Sequence, residues 1–354
     1  MKEKHLKILA GVFVFLLVVY VITKPRQTSV NIDDLVQNIV IGVAKEDVHQ
    51  IEIYKQTESD APAQMNFSLV DGTWRITSQF FCKAKKYRVE RVITDILEMT
   101  GNVRSSDIRH HATYGITDED GIHIILKDEA QKPLANLIIG KKGEDANTGF
   151  VRFADKEKVY FVDKNLLSSL GVYGDIDTLQ SFDAKSFVEL EAVSKEAADL
   201  TMVGLVKDGT QMVVKKVERE EEVTKDDSTK AMEKKSVWVY VDTKGRETNL
   251  DQAEVDKFLK DVTKIRGQEA VDRVGETLAD VNKPAKYGTA RPSRYLVFEA
   301  PDGKRDNVLF GKGYEDDKGV YMQVQADGLI YKLAKDNYEK IFKWVEELPR
   351  KKAK

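Results

Sequence analysis

Residues 136–164 recur at 307–335 without a gap. Gly140-Lys141 recurs as Gly311-Lys312, an offset of 171. The same offset pairs Asn136 with Asn307, Glu144-Asp145 with Glu315-Asp316, Tyr160 with Tyr331 and Lys164 with Lys335. Apolar Leu137-Ile138-Ile139 lies over Val308-Leu309-Phe310. Upstream, Tyr114-Gly115 matches Tyr287-Gly288 at an offset of 173, so a turn shorter by two residues absorbs the difference. Chance supplies isolated identities, but rarely an unbroken run whose strands and turns also agree. The pattern therefore predicts two duplicated lobes, over 45–180 and 181–350.

Each lobe reads as α+β, a mainly antiparallel sheet with one or two helices. In the first, strands are expected at Val48–Tyr54, Asn66–Val70, Trp74–Ile76, Ile122–Leu126, Leu137–Ile139, Phe150–Phe153 and Val159–Val162. A helix is expected at about Val89–Met99, where Val92, Ile93, Ile96 and Leu97 share a face, and a helical turn at Asn165–Leu170. The second lobe opens on a strand at Trp238–Val241 and a helix at Asp251–Ile265. Strands follow at Tyr295–Phe298, Val308–Phe310, Val320–Val324 and Ile330–Leu333, then a helix at about Asp336–Val345. The lobes differ mainly by an insertion at 216–235, densely charged and without core residues. It reads as a solvated hairpin tip or flexible loop, or as a charged docking element.

Ahead of the lobes, every residue from Ile8 to Ile22 is apolar, glycine or tyrosine. Fifteen helical residues span roughly 23 Å, a little short of the hydrocarbon thickness, but Leu6 and Thr23 extend the stretch and Lys7 and Lys24 can snorkel outward. Lys2, Lys4 and Lys7 against Glu3 alone place the short N-terminus in the cytoplasm. The stretch ends in Val-Ile-Thr-Lys-Pro-Arg, without the small residues a signal peptidase reads. The expectation is an uncleaved transmembrane signal anchor over 1–23 and a linker over 24–44. The bulk of the chain would then lie on the periplasmic side of a bacterial inner membrane. The remainder reads as soluble and globular, with 42% hydrophobic and 32% charged residues in 354. Lys and Arg number 56 against 59 Asp and Glu, a net charge of -3, which offers nucleic acid no electrostatic footprint. The one cysteine, Cys82, excludes an internal disulfide.

The sequence nominates no active site and no cofactor. His110 and His111 follow Asp107, but adjacent side chains diverge on either a strand or a helix, so the histidines read as surface or loop residues. Ile139-Gly-Lys-Lys-Gly-Glu lacks the spacing of a phosphate loop. A strand-ending turn, with glycine supplying an unusual backbone angle, accounts for both Gly-Lys copies better. Thr117-Asp-Glu-Asp-Gly lacks the alternating ligands of a calcium loop. No Gly-x-Ser-x-Gly elbow is present, and Cys82 has no readable base.

The motifs Trp74, Tyr114-Gly115, Ile138-Ile139-Gly140-Lys141 and Val159-Tyr160-Phe161-Val162 follow one another in the first lobe. Trp238, Tyr287-Gly288, Leu309-Phe310-Gly311-Lys312 and Ile330-Tyr331-Lys332-Leu333 do so in the second. Their order resembles the domain-of-unknown-function family 4340, present as two tandem copies over roughly residues 45–350. The resemblance implies a membrane-anchored auxiliary component of ABC-type export systems, including those associated with gliding motility. Its partners would be membrane proteins, an ABC permease and its ATPase, and no catalytic residues are carried over. The expected function is therefore a non-enzymatic periplasmic scaffold acting by protein–protein binding. The alternatives are a membrane-anchored envelope regulator or ligand sensor, and an exported hydrolase.

Overall fold

The computed structural model describes residues 12–17, 20, 36–58, 61–225, 229–275, 280, 282–315 and 317–351, with side chains outside 221–233. In the first lobe, β1 (Gln37–Asn38) and a 3-10 turn at Lys45–Asp47 lead into β2 (Gln50–Lys55). The short β3 (Ala63–Gln64) precedes a hairpin of β4 (Phe67–Val70) and β5 (Thr73–Ile76). Then come β6 (Cys82–Lys83), helix α1 (Lys86–Leu97), β7 (Thr100–Ser105) and the single turn α2 (His111–Tyr114). A meander of β8 (Ile122–Lys127), β9 (Pro133–Lys142), β10 (Gly149–Phe153) and β11 (Val159–Val162) ends in α3 (Leu166–Ser169). Residues alternate between the faces of β2, so Ile51 and Ile53 are buried while Glu52 and Tyr54 are half-exposed. On α1 the spacing of Val89, Val92, Ile93 and Ile96 puts all four on the buried face. Each such side chain contributes about 1.5–3 kcal/mol by leaving water.

The second lobe opens on β12 (Glu191–Ser194) and a 3-10 turn at Ala197–Asp199, then β13 (Met202–Lys207). A long hairpin of β14 (Thr210–Lys225) and β15 (Thr229–Val241) precedes β16 (Glu247–Asn249), helix α4 (Gln252–Thr263), β17 (Lys264–Arg266) and β18 (Glu269–Arg273). The single turn α5 (Lys283–Tyr287) leads to the meander β19 (Arg294–Glu299), β20 (Arg305–Tyr314), β21 (Gly319–Val324) and β22 (Leu329–Ala334), then α6 (Lys335–Phe342).

All ladders are antiparallel, and the two sheets share one strand order. From the edge beyond the main helix, the first runs β7-β11-β10-β9-β8-β2-β4-β5-β6 and the second β18-β22-β21-β20-β19-β13-β14-β15-β16. Before each path a short strand pairs with the strand following the helix, β1 with β7 and β12 with β17. The register agrees as well. Tyr160 stands opposite Val151 and Val103, and Tyr331 opposite Met322 and Ala270; both tyrosines are buried.

The described residues of the charged stretch, 216–225 and 229–235, are strand rather than loop. They prolong the β14–β15 hairpin, which stays in unbroken register from Val213 opposite Val241 to Lys225 opposite Thr229. The first lobe turns the equivalent hairpin at once, at Asp71-Gly72, both in left-handed conformations.

A segment between the lobes is stitched to both. The main-chain N–H of Lys85 donates to Phe187 O at 2.7 Å, Glu189 N–H to Lys83 O at 2.8 Å, and Gly267 N–H to Leu190 O at 2.8 Å. Phe187 is fully buried and tilts against Phe67 at 5.2 Å. Beside it, the Phe81 ring lies between Arg75 of the first lobe and Arg273 of the second, 5.6 and 5.0 Å from the two guanidinium carbons. Most buried apolar residues of both lobes form one contiguous cluster, with Ile116, Ile138 and Val159 in a small separate one.

At the N-terminus, Val12–Leu17 and Tyr20 are helical, each exposing between 49% and 67% of its surface. Among the described residues no helix is long and apolar enough to cross a membrane. The rest of the anchor expected over 1–23 lies outside the described residues.

Candidate binding cleft

The Tyr-Gly and Gly-Lys motif residues come together in each lobe as one packing contact. Gly115 ends α2 in a left-handed conformation (φ 64°), and Gly288 ends α5 likewise (φ 77°). Each turn presses its tyrosine carbonyl against the glycine of the neighbouring strand. A Cβ on Gly140 would stand 2.2 Å from Tyr114 O, and one on Gly311 would stand 2.0 Å from Tyr287 O. Lys141 and Lys312 close the contact from the other side, against Gly115 and Gly288. The Gly-Lys pairs are therefore not strand-ending turns. Gly140 and Gly311 lie inside β9 and β20 without positive φ, and what they supply is room for a carbonyl. The aromatic neighbours are equivalent too: Tyr114 packs on Phe150 at 4.5 Å, and Tyr287 on Tyr321 at 4.9 Å. Trp74 and Trp238 are buried on β5 and β15. The eight Tyr-Gly and Gly-Lys residues thus form two copies of one lock, while Trp74, Trp238, Tyr160 and Tyr331 are buried on their own strands.

The same comparison locates where the lobes differ chemically. Beneath the first lock Arg152 is buried; its Nε donates to Ile116 O at 2.7 Å, and its Nη2 meets Asp118. The corresponding Gln323, 171 residues on, accepts from the Thr289 hydroxyl at 2.6 Å. Only the second lock has a buried carboxylate beside it. Tyr287 OH donates to Asp272 Oδ2 at 2.9 Å, and Lys283 meets Asp272 Oδ1 at 2.9 Å.

The histidines separate as adjacent side chains must, yet the surface reading fails for two of them. His110 is exposed, with Nδ1 2.9 Å from the Ser105 hydroxyl. His111 is buried, with Nε2 2.7 Å from Glu157 O. His123 is buried on β8, stacked on Tyr54 at 4.5 Å, with Nε2 2.9 Å from Asp118 O. Half-apolar imidazoles that find a carbonyl partner are tolerated inside, and the sequence carried no sign of those carbonyls. Among the described residues no group of three or more His, Cys, Asp or Glu could hold a metal ion.

A concavity of about 610 Å³ lies at the junction of the lobes. Its walls come from Gln79 in the first lobe, the stitched segment at Lys185, Val188 and Leu190, and the ends of β18, β20 and β22 in the second. A chain of ion pairs crosses it. Glu269 takes Lys185 on Oε1 at 2.8 Å and Lys332 on Oε2 at 3.2 Å. Glu315 takes Lys332 on Oε1 at 2.8 Å and Lys318 on Oε2 at 3.5 Å. Lys185 beside Glu269, then Lys332, holds that carboxyl below the usual glutamate range. Glu315 and Glu269 together push the Lys332 ammonium up. Tyr314 OH donates to Gln268 Oε1 at 2.5 Å, and burial raises the phenol.

Three of these residues were not legible in the repeat, because there the second copy departs from the first, whereas Glu315 and Lys335 keep the residue types of Glu144 and Lys164. Tyr314 replaces Gly143 and Lys332 replaces Phe161, each at the offset of 171. Glu269 replaces Asn102, since Lys332 pairs with Glu269 as Phe161 does with Asn102. Listing the unlike pairs at equivalent positions, rather than the like ones, is the signal that finds them. The arrangement suits binding: fixed charges at the rim and short aliphatic side chains, Val188, Leu190, Ala270 and Ala334, between them.

The family model described as Domain of unknown function (DUF4340) matches residues 74–292, more than half of the chain, and the chain belongs to that family. The match begins at Trp74 and runs through the junction into the second lobe, past Tyr287-Gly288. No curated protein and no solved structure matches the chain.

Proposed function

We propose that this member of the DUF4340 family is a membrane-anchored auxiliary or scaffold component of an ABC-type transport system. It holds two tandem copies of one α+β unit on the outer side of a bacterial inner membrane, and it acts by binding other proteins rather than by turnover. The observation that carries the reading is the N-terminal helical segment. Val12 to Leu17 expose their apolar side chains in succession, with exposures of 49–67%, whereas the lobes bury most of their apolar residues in a contiguous core. Consecutive apolar side chains on every side of a helix are stable in lipid or against another apolar helix, not in water. The common strand order supports duplication of one unit, and a duplicated body on a tether presents two related surfaces at high local concentration.

The reading is tested by topology. A reporter active only outside the cytoplasm, fused after Lys354, is expected to be active, with the purified chain retaining its N-terminal residues. Activity of a cytoplasm-only reporter at that position would overturn it. Replacing His110 by alanine is expected to leave partner binding intact, because its side chain meets only Ser105 at the surface.

A further inference from the structure

The junction cleft has an imbalance in its hydrogen-bonding groups. Both oxygens of Glu269 and both of Glu315 are already taken by lysines. An ammonium group has three donors. Lys185 spends one on Glu269, Lys318 one on Glu315 and Lys335 one on Asp317, and among the described residues they make no other bond. These three side chains stay 71%, 70% and 44% exposed, at the rim of one cleft. The spare capacity is thus cationic donors, which call for an anion. Asp336 is the exception, a lining carboxylate without a hydrogen bond or ion pair among the described residues, able to accept a main-chain N–H. Val188, Leu190, Ala270 and Ala334 leave room between the charges for short aliphatic groups.

We infer that this cleft binds a carboxylate-bearing peptide segment of a partner protein. Lys185, Lys318 and Lys335 hold its acidic side chains, Asp336 takes a main-chain N–H, and small apolar side chains sit between. Gln79 and Lys185 also line the cleft, so the segment touches the first lobe and the stitched connection as well as the second lobe. Occupancy therefore bridges the two lobes. The inference deepens the binding function proposed above by naming its surface and the chemistry of its partner.

The test uses the full chain in detergent micelles and a fluorescent hexaglutamate peptide, read by anisotropy, with hexalysine and inorganic phosphate as comparisons. Saturable binding of hexaglutamate is expected, weakening steeply with salt, and hexalysine should not bind. The triple variant K185E/K318E/K335E should lose at least tenfold in affinity, while Lys304→Glu, on an exposed turn elsewhere, should change it less than twofold. Because the triple variant also breaks ion pairs, Asp336→Asn provides an independent arm. It removes a like charge while keeping an oxygen that accepts the main-chain N–H, and it should tighten binding severalfold. Equal binding of hexalysine, displacement by phosphate at concentrations that match the peptide's, or no response to either variant would overturn the inference. Failure here with the extracytoplasmic topology intact would discard the cleft and leave the anchored scaffold standing.

Discussion

Gly140 and Gly311 show how little freedom a short motif can hide. The carbonyls of Tyr114 and Tyr287 would stand 2.2 and 2.0 Å from a Cβ at these positions, so even a methyl group forces the turn off the strand. Overpacking of this kind costs about 1–3 kcal/mol. Gly140→Ala and Gly311→Ala should each lower the denaturant midpoint accordingly. A glycine-to-alanine change at Gly209, where nothing lies within 4 Å but φ is 87°, tests backbone strain without the clash. Cys82 gives a second prediction. Burial, then the charge of Asp327, raises its thiol from 9.0 to about 11. At neutral pH that leaves roughly a hundredfold less thiolate than an ordinary cysteine, before burial blocks access. Native protein at pH 7.5 should therefore react with a thiol reagent only at its unfolding rate, and unfolded protein at once. Fast stoichiometric labelling of the native chain would contradict the packing at Cys82.

The elements were legible in proportion to their periodicity. The helices over Lys86–Leu97 and Gln252–Thr263 carry a clean apolar stripe, and both lie within a few residues of where the sequence puts them. The strands of both meanders were equally plain, although β9 and β20 extend beyond their apolar cores because their polar ends still find ladder partners. What escaped was the start of the second lobe. β13 has an apolar run but no turn signal ahead of it, and β14 is so charged along its outer half that composition alone suggests a loop. Pairing overrides composition there: strands that enter from a packed sheet can continue as a two-stranded ribbon, which is marginal without that root. Replacing residues 217–237 by Asp-Gly should therefore restore the short hairpin of the first lobe. The melting temperature should stay within about 2 °C of the full chain, since among the described side chains none of those removed is buried. A collapse in stability would mean that the ribbon is part of the packed body.

At the scale of the molecule, the repeated Tyr-Gly and Gly-Lys residues pack into equivalent contacts in the two lobes, and the cleft combines residues that do not repeat, Glu269, Tyr314 and Lys332, with two that do, Glu315 and Lys335. The sequence could flag the first set by identity, but nothing in it brings Lys185, Glu269 and Glu315 together except the folded junction. The junction is also where pH should act. Glu269 and Glu315 are held below the ordinary value of 4.5, so their contribution is present above that value and fades as pH falls through their lowered range. Lys332 is raised above 10.5, so its contribution is present below that value and is lost only in strong alkali. Acidifying from pH 6 to pH 3.5 should lower the melting temperature, and less so in Glu269→Gln, which has no carboxylate left to protonate there. An unchanged acid dependence in that variant would remove the junction from the account. The claim that organises all of this is that the chain works by holding membrane partners from a tethered, doubled body. The most direct measurement is mass spectrometry of what co-elutes with the full chain after gentle detergent extraction from its native membrane. The account predicts stoichiometric recovery of an ABC permease with its ATPase, weakened when residues 8–22 are deleted with export retained. A chain that elutes alone, or with a reproducible turnover activity and no stable membrane partner, would contradict it.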